Sequence, residues 1–167
     1  MVRMAQSLPT IVFLAGAFAD PSCFAELAAR FNQAGYPTVY AHVLSLNPED
    51  PISATTSRDA EYVRENTIVP LLEAGKDVVI FAHSYGGVVG GAAAVGLSKS
   101  AETGNKGGVI GLLYLVGNLV GEGTSLKQAV GGAYPPFIKE DHVCTPYRNT
   151  PIVTNSATIA LQGLGCY

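Results

Sequence analysis

The chain has 167 residues, 48% of them hydrophobic and 14% charged, which is typical of one tightly packed domain and not of a disordered segment. Ten Lys and Arg against 13 Asp and Glu give a formal net charge of -3. Because the sequence has no basic stripe of the kind that follows a phosphate backbone, it predicts no nucleic-acid partner.

The cysteines are interpreted from their number and spacing. Cys23, Cys144 and Cys166 form an odd set with no CxxC pair, so neither a zinc site nor a full disulfide framework is predicted. A reducing compartment, the cytoplasm, is the simpler location. The glycines within residues 86–91 match neither G-x-G-x-x-G nor a P-loop, so the sequence also predicts no cofactor.

The N-terminus leaves a second location open. Arg3 followed by "IVFLAGAFA" imitates a secretory signal, with Ala17 and Ala19 as a cleavage pattern. The same residues also match a strand that enters a glycine turn, with Pro9 at its start, so secretion is kept only as the alternative. The longest uncharged apolar stretch, residues 107–121, is shorter than the ~20 residues that span a bilayer, so no membrane span is predicted.

Short, nearly all-apolar runs alternate along the chain with segments whose apolar residues recur at helical spacing. In chain order the predicted elements are a strand at 10–16, a helix at 20–36, a strand at 37–44, a helix at 57–75, a strand at 77–83, a helix at 85–98 and a strand at 109–116. This alternation indicates an α/β protein with a parallel sheet covered on both faces. Residues 124–132 favour a short helix, and residues 133–167 show no periodicity.

The sequence "FAHSYGGVVGG" at residues 81–91 places Ser84 at the end of a predicted strand and the start of a helix. A serine at such a sharp turn is the nucleophile elbow, normally written G-x-S-x-G. The backbone there is strained, so the residues two positions away must be small, as Ala82 and Gly86 are. Ser84 and Gly16 both follow predicted strands, where ligands of parallel sheets bind. The alternative is a small residue in an ordinary turn.

Four segments, "IVFLAGAFADPSCF", "GKDVVIFAHSYGGVVG", "KGGVIGLLYLVGNLV" and "YPPFI", occur together over about residues 9–138. Together they resemble the small α/β-hydrolases related to plant esterases and hydroxynitrile lyases. The resemblance implies a three-layer α/β-hydrolase sandwich with the strand order second, first, third, fourth. It also implies that Ser84 is the nucleophile and that the backbone N–H groups of Ala17 and Tyr85 form the oxyanion hole.

The chain departs from this family in two places. The usual His-Gly before the oxyanion loop is Ala15-Gly16 here, which keeps the backbone donor. Family members continue with strands that carry the acid and then the catalytic histidine, whereas this chain ends at Tyr167. The sequence therefore predicts one incomplete domain over residues 1–167, with the tail at 143–167 unassigned.

Three histidines are candidates for the base that Ser84 needs. His83 adjoins Ser84, and successive side chains of an extended segment point apart, so a packed turn residue is the favoured interpretation. His42, on the second strand, is interpreted as a core or rim histidine. His142, beside Asp141, follows the fourth strand and is the candidate to test as a substitute base.

The predicted activity is hydrolysis of a carboxylic ester or a related small acyl substrate at Ser84. Glu122 follows the fourth strand, where some α/β-hydrolases place their acid, but an exposed loop carboxylate is the favoured interpretation. Because the family's acid and histidine positions are absent, the alternative is a catalytically inactive binding protein or a truncated gene product.

The fourth strand and its continuation, residues 109–121, contain no charge and no proline. Without the family's next strand, these residues would form a long apolar edge with free backbone groups. Unless the tail at 143–167 covers this edge, we expect the chain to be poorly stable and to associate with itself through it.

Overall fold

The computed structural model describes residues 7–48, 54–100, 106–129 and 131–133, together with the backbone of three strands between residues 138 and 161. The first four strands are β1 (Thr10–Leu14), β2 (Thr38–Ala41), β3 (Val78–His83) and β4 (Val109–Leu115). The helices are α1 (Ala25–Gln33), α2 (Thr56–Val63), α3 (Val69–Glu73), α4 (Gly86–Ala93) and α5 (Leu126–Ala129). Each predicted strand and helix is present, and most differences lie at the ends.

The four strands form one parallel sheet in the order β2-β1-β3-β4. The predicted order of second, first, third, fourth is thus confirmed. In register, Leu14 of β1 lies beside Ala82 of β3, and Ala82 lies beside Tyr114 of β4. Because all four strands run in the same direction, their carboxyl ends lie together at one end of the sheet. The turn that contains Ser84 lies at that end.

Alternate residues of the sheet pack against helices on opposite faces. Val12 and Ile80 are fully buried in a core that α2, α3 and α4 complete. Phe13 and Phe81 belong to a second core beneath α1. The Phe13 ring lies 5.1–6.1 Å from those of Phe24, Phe31, Tyr40 and Phe81. The structure therefore shows the predicted fold class, a parallel sheet with helices on both faces, in which the central strands β1 and β3 are covered.

The helix predicted over residues 57–75 is divided by a wide turn. This turn, Arg64–Ile68, has the i→i+5 pattern of a π-helix and joins α2 to α3. Pro70 gives the physical reason, because it has no N–H to donate and its ring would clash with the carbonyl of Asn66 in a regular helix. No helix in the described part of the chain has the length and apolar character needed to cross a bilayer.

The tail contains strands that the sequence did not predict. The backbone of β5 (Ile138–Asp141), β6 (Ile152–Thr154) and β7 (Ala157–Leu161) forms an antiparallel sheet in the order β5-β7-β6. Each of these strands has at most five residues, which is too few to show a sustained alternation. No described strand of the tail pairs with β4.

β4 lies at one edge of the described sheet, as predicted. Its apolar side chains are unusually open: Ile110, Leu112, Leu113 and Leu115 are 39–48% exposed. Apolar residues on an unpaired edge strand favour association with another chain.

The aromatic core gives a first test. Phe13→Ala should lower the free energy of unfolding by about 3–5 kcal/mol, because it removes a buried ring and leaves a cavity. Chemical denaturation measures this change. Val95→Ala, at a side chain that is 70% exposed, is the control and should stay within about 0.5 kcal/mol of the parent. Equal stability of Phe13→Ala and the parent would contradict the described packing.

The edge gives a second test. We expect the purified protein to elute as dimers or larger species and to bind the dye ANS, because β4 exposes apolar side chains and no other described strand pairs with its outer side. Leu113→Lys should reduce both effects by placing a charge on the edge, whereas Val95→Lys, outside β4, should not. A monomeric parent protein without dye binding would show that β4 is not an association surface.

Candidate active site

Ser84 occupies a strained turn between β3 and α4. Its φ angle is 50°, in the left-handed region that residues other than glycine rarely adopt. The backbone on both sides holds it there: the Ser84 carbonyl accepts from the N–H groups of Gly87 and Asn118, both at 2.9 Å, and the Ser84 N–H donates to Leu115 O at 3.4 Å. A strained serine at a strand-to-helix turn has the backbone geometry of a nucleophile elbow.

The residues two positions from Ser84 must be small for a specific reason. Ala82 is fully buried. A Cβ atom at Gly86 would lie 2.6 Å from the carbonyl oxygen of Ala15 and 2.7 Å from that of Leu14, closer than real Cβ atoms approach such atoms. The end of β1 therefore packs directly on the start of α4, and only glycine fits at position 86.

Two further strained residues lie in the turns that follow neighbouring strands. Phe18 follows β1 with a φ of 69°, and Val116 follows β4 with a φ of 47°. A positive φ is particularly unfavourable for a β-branched residue such as Val116. All three strained residues that are not glycine among those described therefore follow β1, β3 or β4, and such strain clusters at functional sites.

The loop after β1 lies against the elbow. A Cβ atom at Gly16 would be 3.1 Å from the Ser84 Cβ and 3.0 Å from the His83 Nδ1. Gly16 therefore packs directly against the turn that contains Ser84, and Ala17 is the next residue of the chain. Tyr85 lies at the start of α4. Outside the regular helices and strands, no backbone hydrogen bond among the described residues has the N–H of Ala17 or Tyr85 as its donor.

Among the residues that the structure describes, no histidine forms a hydrogen bond with the Ser84 hydroxyl. His83 is half-buried, and its ring packs edge-on against Phe24 at 6.1 Å. The His42 Nδ1 lies 3.8 Å from Asp20 Oδ2 in an exposed pair just beyond β2. His142 lies outside the described residues.

Asp20, the partner of His42, has a structural role of its own. It begins the short 3-10 turn Pro21–Phe24 and accepts from the Ser22 N–H at 2.9 Å. Hydrogen bonds from the Ser22 side chain and backbone, with a smaller contribution from His42, lower the pKa of Asp20. The carboxylate is therefore bound as a cap.

A buried polar cluster that sequence reasoning missed lies behind the elbow. The Tyr85 hydroxyl donates to Asp59 Oδ2 at 2.7 Å, and the Ser45 N–H and hydroxyl donate to Asp59 Oδ1 at 2.9 Å and Oδ2 at 2.5 Å. Burial, and then the charge of Asp59, raise the pKa of the Tyr85 phenol far above its usual value. The phenol is therefore protonated and acts as a donor.

A groove of about 900 Å³ runs along α4, the exposed side of β4 and the segment after β4. Glu122 is exposed and lines it, which agrees with the interpretation of a loop carboxylate. Cys23 is exposed, and Cys144 and Cys166 lie outside the described residues. Among the described residues, no group of His, Cys, Asp and Glu side chains could hold a metal ion.

Comparison with known proteins agrees with this geometry. A sequence profile described as the Alpha/beta hydrolase family matches residues 11–155, so the chain belongs to the α/β-hydrolase family. It is 31% identical over 118 residues to the Alpha/beta hydrolase nvfD of Aspergillus novofumigatus, covering 71% of this chain and 46% of that protein. It is 29% identical over 124 residues to the Probable hydrolase R7 of a Phoma species, covering 74% and 48%.

A solved structure shows the same fold. The chain resembles an extracellular alpha/beta-hydrolase from a Paenibacillus species, described as sharing structural and functional homology with Tobacco Salicylic Acid Binding Protein 2. The TM-score is 0.56 at 15% identity, over 72% of this chain and 45% of that one. The chain therefore spans about half the length of the relatives that it matches.

The close packing of Gly86 gives a third test. Gly86→Ala should destabilise the fold by about 1–3 kcal/mol, because the new methyl group must displace the backbone at the end of β1. Gly111→Ala is the matched control, since a Cβ there meets only the Val79 side chain at 3.8 Å. Thermal unfolding of both variants measures the difference. A Gly86→Ala protein as stable as Gly111→Ala would contradict the described contact.

Proposed function

We propose that this chain carries the nucleophile and the oxyanion hole of a serine hydrolase that acts on carboxylic esters or related acyl substrates. The left-handed backbone of Ser84 at the strand-to-helix turn carries the proposal, because a serine that only links two elements has no need of such strain. The two fungal relatives are named as a hydrolase and a probable hydrolase, which supports the same reaction class.

The proposed reaction has two steps. In the first, the Ser84 oxygen attacks the carbonyl carbon while a base takes its proton, and the carbonyl electron pair moves onto oxygen. The N–H groups of Ala17 and Tyr85 hold this oxyanion, assisted by the positive end of the α4 dipole. The intermediate then expels the alcohol, which takes the proton. In the second step, water attacks the acyl-serine, releasing the carboxylic acid and restoring the hydroxyl.

The base is a separate question, because a serine hydroxyl is a weak nucleophile without one. The described residues place no histidine in a hydrogen bond with Ser84, and the chain spans about half the length of its relatives. The same observation favours one competing function, a binding protein that keeps the elbow but does not catalyse hydrolysis.

A fluorophosphonate probe separates these functions. We expect rapid labelling of the folded protein at a single site, because the probe reacts with a serine whose proton can be taken up. Ser84→Ala should abolish the labelling, and Ser57→Ala, at an exposed serine of α2, should leave it unchanged. Folded protein that stays unlabelled would contradict the hydrolase proposal and favour the binding protein.

His142→Ala, measured in the same assay, tests the candidate base. Loss of labelling with an intact fold would assign the base to His142, and labelling should then fall below about pH 6.5, where histidine is protonated. Unchanged labelling of His142→Ala would exclude it.

A further inference from the structure

The buried cluster behind the elbow joins three separate elements. Tyr85 is the N-cap residue of α4, Asp59 lies in the first turn of α2, and Ser45 lies in the 3-10 turn Leu44–Leu46 beyond β2. Tyr85 is 2% exposed, and Ser45 and Asp59 are fully buried. Thr56 Oγ1 lies 3.3 Å from the Tyr85 hydroxyl oxygen, and because the single phenolic proton goes to Asp59, the Thr56 hydroxyl is the donor in this longer contact.

Among the residues that the structure describes, Asp59 has hydrogen-bond donors but no cationic partner. None of the ion pairs among the described residues includes Asp59, and its two oxygens accept three donors from Ser45 and Tyr85. Burying a carboxylate in this way is costly, and a well-packed apolar group at such a place is often equally or more stable. Stability alone is therefore a weak explanation for the cluster.

The cluster is connected directly to the proposed oxyanion hole. Tyr85 follows Ser84, and the N–H of Tyr85 is one of the two proposed donors. The next two residues, Gly86 and Gly87, have no side chain, so the Tyr85 side chain is the first after Ser84 that can hold this part of the backbone. The Tyr85 ring is rigid, and its hydroxyl is held at the far end, so the ring restrains the backbone to which it is attached.

We infer that Asp59 and Ser45 are positioning residues, which act through the Tyr85 hydroxyl to hold the Tyr85 N–H in the orientation that binds the oxyanion. This inference rests on the proposed hydrolase function. An oxyanion donor is effective only where it is fixed before the reaction, and a small displacement of a reacting group costs a large part of the rate.

The test uses Tyr85→Phe and Ser45→Ala, with Tyr62→Phe as the control. Tyr62 is on the same helix as Asp59 and is 37% exposed. The rate of fluorophosphonate labelling is measured at several probe concentrations. This gives the affinity for the probe and the maximal rate of bond formation separately. We expect Tyr85→Phe to lower the maximal rate about 10-fold with unchanged affinity, since the donor is misplaced and not removed. Tyr62→Phe should behave like the parent.

The double variant Tyr85→Phe with Ser45→Ala shows whether Ser45 acts through Tyr85. If it does, the double variant should react no more slowly than Tyr85→Phe alone, because the two changes interrupt one chain of contacts. Additive losses would overturn the inferred connection. Variants that melt at lower temperature but keep the parent's maximal rate would show that the cluster only stabilises the fold.

Amide hydrogen exchange in ¹⁵N-labelled protein provides a readout that needs no activity. Exchange at Gly87 and Val88, whose N–H groups donate to Ser84 O at 2.9 Å and Tyr85 O at 3.0 Å, should accelerate in Tyr85→Phe, while exchange at Val12 in the centre of β1 stays unchanged. If the parent protein is not labelled by the probe, the hydrolase proposal fails, and exchange alone decides the inference. Acceleration confined to the elbow supports the restraint, and unchanged exchange at Gly87 and Val88 overturns it.

Discussion

The structure depends on the left-handed backbone of Ser84, which the surrounding chain must impose. A serine in this conformation is unfavourable by about 1–3 kcal/mol and persists only where its surroundings over-determine it. Here the determinants are the hydrogen bonds from Gly87 and Asn118 to the Ser84 carbonyl and the direct packing of α4 on the end of β1. The same contacts bring the loops after β1 and β4 to the turn that contains Ser84.

The polar cluster and the strained turn complement each other. The turn fixes the Ser84 backbone, but the two residues that follow Tyr85, Gly86 and Gly87, have no side chain that could hold this part of the chain. Tyr85 lies between the two and is held at its hydroxyl by Asp59, which Ser45 binds in turn. In this account, α2 and the turn after β2 contribute to the site through contacts that never reach the nucleophile.

The sheet and the elbow were predictable because their signals are local. Strands such as β1 and β3 are buried on both faces, so nearly every residue in them is apolar, and Ser84 lies between small residues at the end of such a strand. The Asp59 cluster had no local signal: Ser45 and Asp59 are 14 residues apart and Asp59 and Tyr85 are 26 apart, so only the folded chain brings them together. Pro70 was the one visible sign of the wide turn between α2 and α3, and the strands of the tail are too short to be detected.

The account's central claim is that Ser84 and the N–H groups of Ala17 and Tyr85 converge on one reacting centre. The most direct measurement is a crystal structure of the protein after reaction with a small phosphonate ester, whose phosphoryl oxygen stands in for the oxyanion. The account predicts phosphorus bonded to Ser84 Oγ and its oxygen about 2.7–3.1 Å from both backbone nitrogens. An adduct at Ser84 whose oxygen points to solvent, or an adduct at another residue, would contradict it.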